Sequence, residues 1–526
     1  MEKLMAALVA LLNAPVRVKP TCSISKSRYV AGIQCPKRLY LQVHSPELAI
    51  LDDQAKAVMA QGTTVGVLAR RAFPGGVLVT ADREHLAEAI RHTRELISNR
   101  EVPAIYEATF EHHGVLVRID VLQRCGEAFR LIEVKSSTET KPHYSHDVGV
   151  QKYVAEGNDL RIASACVMHL NRNYVFDGSQ AEDGSPRYDL PQLFVIEEIE
   201  PTTAAFISRQ LSHAFTILEN PDPPEIEPGE QCKAPYRCEF YDICNREWPP
   251  DDIRSLPITK WKIDGLRQCG FCHTNHLPDP FALRALYHLT EKECMMAITA
   301  KEQRMRISSG LAAELATLRF PVCYLDFETL WPALPWFPGM RPYDHIVYQW
   351  SALLQQHAYA PPIRWEFLWE KHDDPRVPFV KSLLEVVAAA RTIVVYNASF
   401  ESSRIQELAK CFPQYESALL DARDKLWDLL PVIRRNLYHP AFCGSYSLKR
   451  VLPALLPGDG YEHLEIADGS HAGLAWLRRL STHDSSETAR LRNALLEYCA
   501  QDTAALARIV TLLFGLAESL DSSSCR

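Results

Sequence analysis

No continuous apolar run in the 526 residues approaches the roughly 18 to 20 needed to cross a bilayer as a helix, so no membrane domain is expected. Internal repeats and low-complexity tracts are also missing, which excludes solenoid and fibrous architectures. Positive charge is in deficit: 57 Lys and Arg face 65 Asp and Glu, a formal net charge of -8. That excludes a surface coated in positive potential, so any nucleic-acid contact must be local. The 15 cysteines are scattered along a long chain rather than packed into a short module, which argues against a disulfide framework and for a reducing compartment, the cytoplasm. The apolar run Leu4 to Leu12 is short, and its single Lys3 is balanced by Glu2, so it lacks the basic lead of a secretory signal.

What is present is globular and multidomain. Hydrophobic residues make up 47% and charged residues 23%, with no bias toward disorder. A length of roughly 150 residues per domain predicts two to four domains. The Pro-rich acidic stretch Glu219 to Glu230 and then Trp248-Pro249-Pro250-Asp251-Asp252 read as extended connectors, because consecutive prolines remove donors and disfavour helix before them. The expected division is 21–247, a helical connector 248–318, and 319–520, with 1–20 and the Ser-rich tail from Ser519 peripheral.

Both large parts read as α/β. In the first, Glu107 to Phe110 and Val115 to Leu122 alternate around His112-His113-Gly114, a hairpin pattern, and Phe129 to Val134 is the next strand. Helical periodicity covers Asp82 to Asn99 and Thr202 to Leu218. In the second, Val322 to Asp326, His345 to Leu354 and Ile393 to Tyr396 read as strands, and Val377 to Ala390, Glu401 to Lys410 and Glu487 to Leu516 as helices.

Three constellations carry chemistry. In the first, Glu133 and Lys135 share a strand face, and Asp120 on the neighbouring strand can reach the same place. Two carboxylates can hold Mg²⁺ or Mn²⁺ through hard oxygens while the ammonium stabilises charge on a phosphate; the bland alternative is a solvated strand face. In the second, Asp326 and Glu328 alternate on an apolar strand, Glu401 opens a helix after a second strand, and Tyr498 and Asp502 lie four apart on one helix face. The third is Cys232, Cys238 and Cys244, at every sixth residue, a spacing unlike common structural zinc pairs. Cys269-Gly270-Phe271-Cys272-His273 matches a haem-attachment pattern, but Leu266 to Gly270 reads better as a helix ending on a left-handed glycine. Lys26, Arg28, Lys37 and Arg38, and later Arg434, Arg435, Lys449 and Arg450, are local basic clusters suited to phosphate or to plain solvation. Trp331, Trp336 and Phe337 can stack on bases or cap a core edge.

These motifs resemble known families. Val117-Arg118-Ile119-Asp120 with Ile132-Glu133-Val134-Lys135-Ser136-Ser137 is similar to the PD-(D/E)XK motif of RecB-type nucleases. Gln151 resembles that family's Gln-bearing helix, and Gly62 and Gly66 fall where it has a glycine-containing helix. The metal-binding His of that helix is absent beside Gly66-Val67-Leu68, with Glu107 as a candidate replacement. Relatives carrying iron and sulfur, including CRISPR-associated nucleases, place one Cys before the core and three after it. This resemblance implies Cys35, Cys232, Cys238 and Cys244 as ligands of a [4Fe-4S] cluster. Asp326-x-Glu328, Asn397 to Glu401 and Tyr498-x(3)-Asp502 resemble the three motifs of DnaQ-like DEDD exonucleases in their tyrosine form, with Glu401 where Asp is usual. That resemblance implies two divalent ions on Asp326, Glu328, Glu401 and Asp502, with Tyr498 orienting water. Tyr446-Ser447-Leu448-Lys449 is similar to the segment before the third motif, and Asp428-Leu429 to the one before that.

The whole layout resembles an uncharacterised bacterial family joining the two nuclease types, over about residues 23 to 515. It implies a metal-dependent nuclease on DNA ends or single-stranded DNA, with a PD-(D/E)XK restriction-endonuclease-like domain and an RNase H-like domain. RNA as substrate, or a nucleic-acid-binding scaffold with inactive sites, are the alternatives.

Overall fold

The computed structural model describes residues 23–81, 84–245, 248–249, 251–279, 284–285 and 287–524, with the side chains of 520–524 left aside. The Leu4 to Leu12 run and the start of the expected helix at Asp82 lie outside these residues. The chain divides into two compact units, 1–245 with 333–342, and 246–332 with 343–526. The expected boundary at 247 is two residues off. The expected connector 248–318 is helical as read, with Lys260–Gln268 and Glu291–Glu302, but it belongs to the second unit around its own core of Ile263, Leu266 and Leu289. Segment 333–342, expected in the second domain, groups with the first: Phe176 and Met340 pair through their backbones.

The first unit holds a mixed seven-stranded sheet. Its strands are β1 (Ile24–Ser25), β2 (Val77–Leu78), β3 (Ala104–His112), β4 (Val115–Cys125), β5 (Ala128–Val134), β6 (Ile162–Leu170) and β7 (Phe194–Glu198), in the order β2-β3-β4-β5-β6-β7, with β1 beside β4. The β3–β4 hairpin turns through His113 and Gly114, both in the left-handed region, as two-residue turns of this kind require. Sheet and helices meet over Ile105, Val117, Ile119 and Leu131 against Val148, Val150 and Val154. Helix Lys26–Gln34 starts where the Ser25 side chain accepts from the Arg28 N–H, and Pro36 opens the next helix, Pro36–His44, at its first position.

The second unit contains a two-stranded pair, β8 (Arg306–Ile307) with β14 (Leu437–Tyr438), and a five-stranded sheet of β9 (Val322–Leu330), β10 (Ile346–Gln355), β11 (Ile363–Leu368), β12 (Thr392–Val395) and β13 (Leu426–Asp428). The sheet order is β11-β10-β9-β12-β13; β10 is antiparallel to β9 and β11, whereas β12 is parallel to β9 and β13. Both faces are covered, so β9 is apolar from Val322 to Leu325 and again at Phe327, with Asp326 as the break. Val322 and Tyr324 pack with Leu506, Ile509 and Leu513 of the long helix Ser485–Ser524, while Cys323, Leu325 and Phe327 pack with Phe379, Leu383 and Ile405. By length and composition the stretch Ser485–Ser519 of that helix is apolar enough to cross a membrane, which an unbroken-run criterion misses because polar residues such as Thr503 and Arg508 interrupt it. Here its apolar side covers the sheet.

Helix Lys260–Gln268 ends at Cys269 with Gly270 at φ +88°, the left-handed stop read from the sequence, and Cys269 and Cys272 are exposed. His112 and His113 stack on each other at the hairpin.

Candidate active sites

In the first unit, Val121 pairs with Ile132, which sets Asp120 across from Glu133 on the same sheet face. The Asp120 carboxylate accepts from the Val134 N–H at 2.7 Å, so it sits over the strand that carries the other acid. Glu133 is 3% exposed and fully engaged. Lys26 donates to both of its oxygens at 2.7 Å, Lys135 reaches it at 2.9 Å, and the Gln151 amide completes the set. Lys135 also donates to Asp147 at 3.0 Å. Asp147 and Gln151 are four apart on helix Tyr144–Glu156, so one face delivers both.

Electrostatics separates the two acids. Burial pushes Asp120 up to about 7, with the Glu133 charge adding to it. Burial would raise Glu133 too, but the Lys135 and Lys26 charges and their hydrogen bonds hold it well below the usual range. Glu107, the candidate replacement ligand, pairs with Arg70 at 2.7 Å, and its charge still raises Asp120. Gly62 and Gly66 lie on helix Asp53–Arg70 as expected.

The four cysteines meet. Cys35, at the junction of the first two helices, and Cys232, Cys238 and Cys244 line one cavity with Lys37, Leu41 and Phe240. Burial raises the Cys238 thiol to about 11, and the neighbouring Cys232 and Cys35 sulfurs, after burial, raise Cys244. Gln34 clasps the segment by donating to the Gln231 and Tyr236 carbonyls at 2.6 and 2.7 Å, and Arg38 pairs with Glu239 at 2.8 Å.

In the second unit, the side chains of Val322, Tyr324, Asp326 and Glu328 follow one face of β9, toward the long helix that carries Tyr498, Cys499 and Asp502. Among the described residues, Asp326, Glu328 and Cys499 bring one ligand atom each within 4.8 Å of one another. Glu401 enters from the first turn of helix Ser399–Cys411, just past the carboxyl end of β12, beside the point where the sheet order reverses. Its approach is fixed by Asp428, which accepts from the Asn397 and Ala398 N–H groups at 2.9 and 3.0 Å; Asn397 takes the left-handed conformation that Asn tolerates. Glu401 is 3% exposed, and its Oε2 has no hydrogen-bond partner.

Four carboxylates so placed resist ionising together. Burial, then Asp502, Glu328 and Glu401, push Asp326 well up; burial, then Asp502, does the same to Glu328. Burial raises Glu401 to about 8 and Asp502 to about 6. Tyr461 donates its hydroxyl to Asp502, and the Lys449 ammonium lies 5.6 and 5.5 Å from the Tyr461 and Tyr498 rings, close enough to lower both Glu328 and Asp502. The buried orphan oxygen of Glu401 and the four carboxylates suit hard divalent cations, with the Cys499 thiol, kept protonated by burial, beside them.

Every expected site residue therefore falls in one of three clusters. Lys26, Asp147, Tyr461 and Cys499 join them without having been read as members, and of these only Asp147 had a local signal, its four-residue offset from Gln151. Basic residues expected to meet phosphate are partly engaged elsewhere: Lys26 with Glu133, Arg38 with Glu239, Arg435 with Glu314 at 2.6 Å. Trp336 and Phe337 are half-buried in the segment that joins the first unit, whereas Trp331 is exposed.

Residues 323–447 match the model of a domain of unknown function, DUF2779, which spans the first two acidic motifs and stops short of the third. No curated protein matches the chain. Among solved structures the chain is similar to the crystal structure of SSO0001 at 17% identity, over 47% of this chain and 98% of that one, with a TM-score of 0.25; a likeness that low carries no argument.

Proposed function

We propose that the chain is a metal-dependent nuclease acting on DNA, with a 3′-5′ exonuclease site in the second unit and a PD-(D/E)XK-type site in the first. The observation that carries it is the convergence of Asp326, Glu328, Glu401 and Asp502, with one buried carboxylate oxygen unpaired. Two such ions, when bound, supply an activated water and charge stabilisation at the leaving oxygen. The chain's own groups then have separable tasks. Asp326, Glu328, Glu401 and Asp502 would hold the cations, Tyr461 fixes Asp502 by donating its hydroxyl, and Tyr498, 4% exposed, would orient water. Burial keeps the Tyr498 phenol protonated, so it acts by hydrogen bonding and not as a base.

A mixed five-stranded sheet flanked by helices supports an RNase H-like reading of this unit, and a mixed sheet with Asp120, Glu133, Lys135 and Gln151 gathered at one place supports a restriction-endonuclease-like reading of the first. In the first unit Lys135, shared between Glu133 and Asp147, is the group to meet a phosphate. The common cavity of Cys35, Cys232, Cys238 and Cys244 supports a [4Fe-4S] cluster joining the two ends of the unit, and a reducing cytoplasmic setting goes with it.

The test is degradation of end-labelled single-stranded DNA in Mg²⁺ or Mn²⁺, with 3′ or 5′ ends blocked and RNA in parallel. Activity that is lost in Asp326→Ala and stopped by a 3′ block agrees with the reading. Activity unaffected by both Asp326→Ala and Lys135→Ala removes both sites. Absorbance near 400 nm that disappears in Cys238→Ser supports iron and sulfur; zinc in its place rejects the cluster.

A further inference from the structure

Both oxygens of Glu133 in the first unit are taken by the chain itself. Lys26 donates to each at 2.7 Å, Lys135 meets Oε1 at 2.9 Å, and the Gln151 amide donates to Oε2. These contacts fill the lone-pair positions that a carboxylate offers, so an ion that uses Glu133 must displace a donor. What else each donor holds identifies the one that can leave. Lys135 also donates to Asp147 at 3.0 Å and lies 4.9 Å over the Tyr144 ring, and Gln151 is fully buried on helix Tyr144–Glu156. Among the described residues Lys26 has no hydrogen-bond partner besides Glu133, and its side chain is 20% exposed. Its backbone is fixed: Ile24 and Ser25 pair with Val115 and Leu116 of β4, and Ser25 caps the helix that Lys26 opens. The freedom left to it is rotation of a flexible four-carbon stem.

Charge sets what can draw Lys26 away. The acids Asp120, Glu133 and Asp147 meet the ammonium groups of Lys26 and Lys135. A divalent ion added alone leaves this buried group with surplus positive charge, which is costly; one ion added with one phosphodiester leaves it balanced. From this geometry we infer that Lys26 couples the two ligands of the first site: it neutralises Glu133 in the free chain and swings onto a backbone phosphate when a divalent ion takes its place on Glu133. The inference rests on the metal-dependent reading of that site and deepens it, because it makes Lys26 a substrate-binding residue and the anionic backbone a condition for tight ion binding. Linkage makes the effect reciprocal, so ion and strand tighten each other by the same factor. Backbone charge alone drives the exchange, which is therefore indifferent to base sequence.

The experiment reads ion binding without turnover. The full chain carrying Asp326→Ala, which isolates the first unit, is titrated with Mn²⁺ by electron paramagnetic resonance, with and without a phosphorothioate single strand that resists cleavage. First-site ions are those lost on adding Glu133→Gln. Without the strand, this ion is expected to bind about tenfold more weakly when Lys26 is present than in Lys26→Met. The charged strand closes that gap, and a strand of neutral methylphosphonate linkages does not. A melting curve verifies that Lys26→Met is folded, and Mn²⁺ raises its midpoint through Glu133. A Glu133-dependent ion that binds equally well with and without the charged strand, or that the strand tightens as much in Lys26→Met, overturns the coupling and keeps the metal reading. No Glu133-dependent ion in any of these forms rejects the metal reading of the first site itself.

Discussion

The two carboxylate sites of this chain solve the same electrostatic problem in opposite ways. In the first unit, Glu133 is buried but answered from within by Lys26 and Lys135, and it stays ionised. In the second, Asp326, Glu328, Glu401 and Asp502 share one place, with Lys449 acting on Glu328 and Asp502 and Arg404 on Glu401, and all four are still pushed up. A buried charge must be paired or must neutralise. Glu133 of the first site is paired by its own chain, whereas Asp120 beside it is pushed up to about 7 as the acids of the second site are pushed up, and these need cations or protons. The difference teaches that the four buried acids can ionise together only with outside countercharge, which in the proposed reading divalent ions supply, whereas Glu133 is kept ionised by lysines of its own chain.

Removing an acid breaks that contrast most sharply. Asp326→Ala is expected to cost about a thousandfold in exonuclease turnover, about 4 kcal/mol of transition-state stabilisation, because one side of the cation site disappears. End-labelled DNA assays check this, and the same substitution leaves the pairing around Glu133 intact, as does Lys135→Ala for the exonuclease.

Next in size is the loss of a first-unit lysine. Lys26→Ala leaves a buried Glu133 with half of its neutralisation and is expected to destabilise the first unit by about 2 kcal/mol, less than the ~3 to 5 kcal/mol for a wholly unpaired buried charge, since Lys135 and Gln151 remain. Chemical denaturation measures it. Lys26→Ala combined with Lys135→Ala should exceed the sum, because each lysine partly covers the loss of the other.

pH sharpens the comparison through sign. Glu401 rises from 4.5 to about 8 on folding. Between those values the folded chain keeps a proton that the unfolded chain has released, so in EDTA its contribution to stability falls as pH rises through that window. Glu133 runs the other way: held below its usual value, it contributes above about 4.5 and that contribution is lost on acidification. Thermal melts from pH 5 to 8 in EDTA should therefore show a decline that Glu401→Gln reduces, the remainder coming from the other raised acids, Asp120, Asp326, Glu328 and Asp502. Divalent ions should bind more tightly across the same rise, since they displace the protons.

The smallest expected effect is steric. A Cβ at Gly469, which opens helix Gly469–Ser481, would lie 3.3 Å from the Glu328 carboxylate. Gly469→Ala should raise the Mg²⁺ needed for half-maximal exonuclease rate by a few fold, on the order of 1 kcal/mol, without changing the melting curve in EDTA.

The acids themselves were legible because periodicity fixes which side chains share a face. Asp326 and Glu328 alternate on a strand, Tyr498 and Asp502 sit one helical turn apart, and the structure keeps both relations. The main strands and helices were found within a few residues for the same reason. What was missed came from contacts with no local pattern. Lys26 meets Glu133 across 107 residues, and Tyr461 reaches Asp502 across 41 from a segment without regular structure. β11 escaped because it is an edge strand with exposed residues on both faces at its start, so it carries no alternation to read. The connector was misplaced because a proline-rich stretch marks a bend in the chain and not which neighbour a segment packs against.

Manganese binding, followed by electron paramagnetic resonance on the full chain at pH 8, tests the central claim most directly. Two ions per chain that vanish in Asp326→Ala and weaken in Glu401→Gln, with Lys26→Ala unchanged in that pair, is the result these four carboxylates require. Binding that survives Asp326→Ala undiminished would contradict it.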